Sequence, residues 1–254
     1  PGKGMLQPTS GFALRGIPDD RRTLLLLDGI PMNDGYTNGN YWGGIPVGAV
    51  TQAEILYGPM SSMFGGNAMG GVVNFVTRMP TAPEFVFRAG YGDPFQSGKG
   101  PEAVRKVMVQ MGTLMENGLS VRVIANGAAT DGYRGDWATA TTKPVGTTGA
   151  VPITTENGAA GFQLGLKGNN DWRERGASIK LEQYLSNGTR WRLGWQLQEY
   201  DFRFGTPETF LRTAGGAPTH GSGTTPLSFA GNDGGYARQI LTAGLDTDFG
   251  VGRL

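Results

Sequence analysis

The chain has 254 residues, 44 of them glycine, with 38% hydrophobic residues and a formal net charge of +1 from 22 basic and 21 acidic side chains. Balanced charge without Lys/Arg clusters argues against a nucleic-acid partner. The absence of cysteine removes disulfides and thiolate metal sites, and the single histidine, His220, removes any centre that needs two.

In chain order, Arg22 to Leu27 (RTLLLL) reads as a buried strand stopped by the turn pair Asp28-Gly29. A polar loop, Asn33 to Gly44, carries Tyr36, Tyr41 and Trp42, three aromatics that suit either buried anchors or a recognition surface. Ala53 to Tyr57 is a second strand and Gly71 to Thr77 a third, closed by Met79-Pro80. Residues 1–82 therefore form a small α+β globule, with Asp19-Asp20 in a solvated loop and Asp28 as a turn residue.

From Glu84 the period changes to two. Phe85, Phe87, Ala89 and Tyr91 share one face. Val107, Val109 and Met111 alternate with Lys106, Met108 and Gln110, and Leu119, Val121, Val123 and Ala125 with Ser120, Arg122, Ile124 and Asn126. Asn117-Gly118 and Asn187-Gly188 are tight hairpin connections, with both residues of each pair expected at positive φ. Ile179 and Leu181, then Trp191, Leu193, Trp195 and Leu197, then Leu241, Ala243, Leu245 and Phe249 continue the apolar face.

The spacing predicts six strands, at 84–92, 103–115, 118–130, 175–186, 189–202 and 236–250. Tight turns alternate with long connections at 93–102, 130–174 and 203–235, which places all the long loops at one end. Such strands suit either a soluble sandwich or a membrane barrel whose apolar face meets lipid. Ala160 to Lys167 also alternates, but a seventh spanning strand would put the last long loop at the tight-turn end. It is expected inside the long loop as a local β-segment.

Gly65 to Gly71 (GGNAMGG) lacks the lysine and following helix of a phosphate loop, so its glycines are read as allowing close packing and positive φ. No nucleophile–base or metal-ligand constellation accompanies the carboxylates, and an enzyme is not expected. His220, in a Gly/Thr/Pro-rich stretch, is expected to be solvated.

Several motifs occur in a fixed order: Leu14-Arg15-Gly16, Leu26-Leu27-Asp28-Gly29-Ile30-Pro31, Ile45-Pro46 with Ala53-Glu54-Ile55-Leu56, and Gly58-Pro59 through Gly70-Gly71-Val72-Val73-Asn74 to Thr77-Arg78. Asp131-Gly132-Tyr133-Arg134 follows. In this order they resemble the plug domain and first barrel segment of TonB-dependent outer-membrane receptors.

The resemblance implies a mainly β protein: a small α+β plug at 1–82, then an incomplete antiparallel transmembrane β-barrel of about six strands at 83–254. Against the 22 strands of the plugged transporters, it implies an internal fragment lacking the TonB box and the remaining wall. The implied function is import of a scarce nutrient, a ferric siderophore first among the candidates, driven by TonB across the bacterial outer membrane. TonB, a small-molecule or metal-chelate substrate and outer-membrane lipid are the implied partners, and no cofactor is implied.

The resemblance places Asp20, Arg21, Tyr36, Asn40, Tyr41 and Trp42 at the substrate and Arg15, Glu54 and Arg78 between plug and barrel. Tyr57 stands where many members carry arginine. A soluble β-sandwich that binds carbohydrate and a passive porin are the alternative readings.

Overall fold

The computed structural model describes residues 14, 22–33, 45–92, 103–133, 137–155, 158–186, 188–221, 229 and 233–247. Its first body is a four-stranded mixed sheet. Strand β1 (Thr23–Leu27) turns through Asp28 and Gly29, at φ 52° and 83°, into the short β2 (Ile30–Pro31). A 3-10 turn at Val47–Ala49 leads into β3 (Val50–Tyr57), followed by the one-turn helix α1 (Ser61–Phe64) and β4 (Gly71–Thr77). The order is β2-β1-β4-β3, with β1 parallel to β4 and the other pairs antiparallel.

The sequence dictates the central place of β1, because all five of its residues are buried. Leu25 and Leu27 pack with Leu14, Met32, Ile45 and Val73 on one face, and Leu24 and Leu26 with Ala68 and Val72 on the other. Each such leucine contributes about 1.5–3 kcal/mol on burial. The glycine-rich stretch closes on itself: Met60 N donates to the Ala68 carbonyl and Gly70 N to that of Arg22, both at 2.8 Å. Gly71, at φ 146°, sits against the Leu56 carbonyl where a Cβ would collide.

The second body is an antiparallel wall of six strands: β5 (Glu84–Gly92), β6 (Val104–Leu114), β7 (Leu119–Tyr133), β11 (Asn170–Tyr184), β12 (Arg190–Phe204) and β14 (Gly234–Asp246), adjacent in that order. β11 begins five residues before its expected start, and β14 ends at Asp246, with Phe249 outside the described residues. The β6–β7 connection differs from the expected pair of positive φ angles. Gly118 alone takes one, at 81°, while Asn117 uses its side chain to accept from Leu119 N at 3.1 Å. That is the three-residue loop with a terminal glycine bulge.

The wall's outward face is apolar and exposed: Phe85 is 67% exposed, Tyr91 69% and Leu241 82%. The opposite face carries Ser120, Arg122, Ile124 and Glu182, all buried. A water-soluble sheet buries its apolar face, so this inversion is that of a barrel wall in lipid. Among the described residues, no helix is long and apolar enough to cross a membrane.

Between β7 and β14 the long connections form a third sheet. Strands β8 (Trp137–Ala140), β9 (Val151–Thr154) and β10 (Ala160–Leu166) come from one loop and β13 (Glu208–Thr209) from the next, and β10 pairs with all three others. Ala138, Leu164, Leu211 and Phe229 form its own small core.

Candidate functional site: the plug against the barrel wall

The mixed sheet lies against the polar face of the wall, and the contacts begin at Asp28. The Asp28-Gly29 turn aims the carboxylate both at its own sheet and at the wall. Thr77 N donates to Asp28 Oδ1 at 2.8 Å, and the Thr77 hydroxyl to Oδ2. Across the interface, Lys180 Nζ lies 3.0 Å and Arg122 Nη2 3.8 Å from Asp28 Oδ2.

Arg122 and Lys180 are directly opposed on β7 and β11. Like charges in that position repel, and the arginine side chain is only 4% exposed. The Asp28 carboxylate is the counter-charge that lets both point inward.

A second group of contacts surrounds the chain segment that joins the two bodies. Arg122 Nη1 donates to the Arg78 carbonyl at 2.7 Å, and Ser120 Oγ to that of Pro80 at 2.7 Å. Arg78 pairs with Glu84, which also accepts from Gln110 Nε2 at 2.8 Å. Gly112 leaves room for the Pro80 ring, which a Cβ there would strike. Farther along, Arg88 Nη1 donates to the Gly48 carbonyl at 2.8 Å, and Ala49 packs with Met108 and Ile124. On the last strand, Arg238 Nη1 reaches the Met32 carbonyl at 2.7 Å, and Ile240 packs on the plug core.

At the tight-turn end the inner face carries a charge cluster: Arg190 with Glu182, and Arg192 with Asp246 at 3.1 Å. At the long-loop end it carries rings instead. Tyr200 lies 6.4 Å from Trp172, 5.9 Å from Phe202 and 5.7 Å from Tyr236 between ring centroids. Trp172 Nε1 and Asn170 Oδ1, two residues apart on β11, are buried and have no hydrogen-bond partner among the described residues. A donor, an acceptor and several π faces at the loop end suit the recognition of a ring-bearing ligand.

Of the sequence-predicted residues, Arg15, Asp20, Arg21, Tyr36, Asn40, Tyr41 and Trp42 lie outside the described residues. Arg78 stands between the bodies as given above. Glu54 accepts from Gln52 Nε2 at 3.2 Å and Asn74 Nδ2 at 2.9 Å, both in its own sheet. Tyr57 is exposed at the end of β3. His220 is exposed, as expected, and lies edge-on against Phe229 at the rim of the small loop core, 4.7 Å between centroids.

Sequence reading gave Asp28 only a turn role. The signal for its second role was the inward pair Arg122 and Lys180, which demands a carboxylate once the β7–β11 register is known. Among the described residues no three His, Asp or Glu side chains cluster in a way that could hold a metal ion.

Residues 4–72 match the model of the TonB-dependent receptor plug domain. The vitamin B12 transporter BtuB of Vibrio vulnificus is 37% identical over 76 residues, 30% of this chain and 12% of that protein. The ferric enterobactin receptor of Pseudomonas aeruginosa is 31% identical over 135 residues, 49% of this chain and 17% of that one. In three dimensions, a crystal structure of a mutant of that ferric enterobactin receptor in complex with enterobactin superposes with a TM-score of 0.65 at 19% identity, over 97% of this chain and 34% of that one. The siderophore receptor PirA of Acinetobacter baumannii gives 0.66 at 18% identity, over 96% and 32%. These superpositions concern the fold, and the chain spans about a third of the length of those receptors. An ordered plug sequence, a mixed sheet held on the polar face of an inverted antiparallel wall, and these matches agree: residues 4–72 match the plug domain of the TonB-dependent receptors, and the chain has the fold of that plug with part of an outer-membrane barrel wall.

Proposed function

We propose that this protein is a gated importer, which binds a scarce nutrient outside the cell and passes it through a plugged barrel when TonB pulls on the plug. The observation that carries this reading is the Asp28 carboxylate between Arg122 and Lys180. A plug held in the lumen by a few partly buried ion pairs is closed at rest and can be released by moderate force. A passive porin needs no such lock, and a soluble sugar-binding sandwich would not expose Phe85, Leu241 and Leu245 on one face.

A ferric siderophore is the first candidate for the substrate, supported by the rings at the long-loop end and by the ferric enterobactin receptor among the relatives. Cobalamin is the second, supported by the relation to BtuB. In this reading residues 1–82 are the plug. Asp20, Arg21, Tyr36, Asn40, Tyr41 and Trp42 face the substrate, and Arg15, Glu54 and Arg78 help to hold the plug. The substrate crosses without any bond being made or broken, and the energy comes from the inner-membrane proton gradient through TonB.

The test is uptake by cells carrying the receptor, with radiolabelled ferric enterobactin and cobalamin, with and without a protonophore. Energy-dependent iron uptake is expected. Energy-dependent uptake of cobalamin alone would sink the siderophore assignment, and uptake of either compound that ignores the protonophore would sink the importer.

A further inference from the structure

The plug meets the two halves of the described wall differently. Against β5, β6 and β7 it is held closely, by Arg88 on Gly48, Met108 and Ile124 on Ala49, Ser120 on Pro80 and Arg122 on Arg78. The chain itself also joins the plug to β5. Against β11, β12 and β14 the contacts are Lys180 on Asp28, Arg238 on Met32 and Ile240 on the plug core, and a cavity of about 250 Å³ lies beside them between the two bodies.

Its plug side is formed by Asp28, Ile30 and Pro46, and its wall side includes Ser178, Gly194, Thr242 and Gly244. These wall residues lie side by side, since Gly194 pairs with both Lys180 and Thr242, and Gly244 with Arg192. Four small side chains on three adjacent inward faces hollow the wall where large ones would fill it. The Asp28 ion pairs with Lys180 and Arg122 border the hollow, and Arg238, two residues before the lining Ile240, holds the Met32 carbonyl.

We propose that this hollow is where the plug parts from the wall, so that the imported molecule passes between the β1–β2 turn and strands β11, β12 and β14, while the β5–β7 side serves as the fixed side. The inference rests on the importer reading. Displacement of the β1–β2 turn breaks the Asp28 ion pairs with Lys180 and Arg122 and the Arg238 bond to Met32, and enlarges a space that already exists. Displacement on the other side would empty packed contacts around Ala49 and Pro80. A molecule in transit meets Lys180 and Arg192 on the wall and Asp28 on the plug, so the path presents charges of both signs to a polar cargo.

The chain has no cysteine, which permits single-cysteine labelling without background from these residues. Ser178→Cys and Thr242→Cys report on the hollow, and Ser120→Cys and Ala49→Cys on the fixed side. Cells carrying each receptor variant are treated with a small, membrane-impermeant methanethiosulfonate cation, with and without a protonophore. Uptake of radiolabelled ferric enterobactin and cobalamin is measured in the same cells.

Severalfold faster labelling of Ser178→Cys and Thr242→Cys in energised cells, with Ser120→Cys and Ala49→Cys unchanged, is the expected result. An equal or larger gain at the fixed-side positions overturns the proposal. So does no gain at any of the four while uptake remains energy-dependent, and in both cases the importer reading stands. If neither compound is taken up in an energy-dependent way, the importer reading fails and the proposal with it.

Discussion

At Asp28 one side chain satisfies two demands, and substitutions can separate them. Its backbone sits at φ 52°, a region that asparagine and aspartate tolerate better than other non-glycine residues. Asp28→Asn therefore keeps the turn and removes the charge that offsets Arg122 and Lys180. Hydrogen bonds to charged groups contribute roughly 1.5–3 kcal/mol, and a urea dependence of about 1–3 kcal/mol per molar turns that into a plug-unfolding midpoint lower by roughly 1 M. Asp28→Ala adds backbone strain of about 1–2 kcal/mol and should fall further. Urea titration of the detergent-solubilised receptor, followed by plug fluorescence, checks the order, and equal midpoints for Asp28→Asn and the parent would refute the ion-pair role. The Asp-Gly turn was legible in the sequence because turn chemistry is local. The ion pair was not, because it depends on the register that sets Lys180 opposite Arg122.

Among the elements, β10 shows how far alternation reaches. Its period-two pattern marked a strand, and the parity of turns and loops kept it out of the wall, where it is indeed absent. Its partner β13 has two residues and carries no pattern of its own, so the joining of two separate loops into one sheet could not be read in advance. That sheet has a separate core, so Leu211→Ala should cost about 2–5 kcal/mol locally and leave the wall intact. Limited trypsin digestion of the detergent-solubilised receptor reads this out: cleavage at Lys167 and Arg212 should accelerate, while the strands of the wall stay protected. Uniform acceleration through β11 and β12 would mean that the loop sheet and the wall form one cooperative unit. The inner face of β12 carries the other consequence. Tyr200→Ala removes the central ring of the cluster, and under the proposed siderophore reading an aromatic contact of about 0.5–1.5 kcal/mol predicts up to roughly tenfold weaker binding of ferric enterobactin, measured by fluorescence quenching. Unchanged affinity would take these rings out of the recognition surface.

Over the whole molecule, sidedness is the property most directly written in the sequence. The same alternation that predicts strands also assigns Leu241 to one face and Thr242 to the other, and exposure follows it residue by residue along β14. In water that pattern would be inside out. In lipid it is stable, and it makes the two faces respond oppositely to one added charge. Leu241→Arg places a guanidinium in hydrocarbon and should destabilise the inserted receptor by about 2–4 kcal/mol if the position is near the bilayer midplane. Thr242→Arg, one residue along, points into the hollow beside the plug, which Asp28 also lines, and should cost little. Reversible folding into phospholipid vesicles, followed by the shift of the folded band on unheated gels, compares the two. A larger penalty for Thr242→Arg than for Leu241→Arg would place lipid on the wrong side of the sheet, and the plug would then have no lumen to occupy.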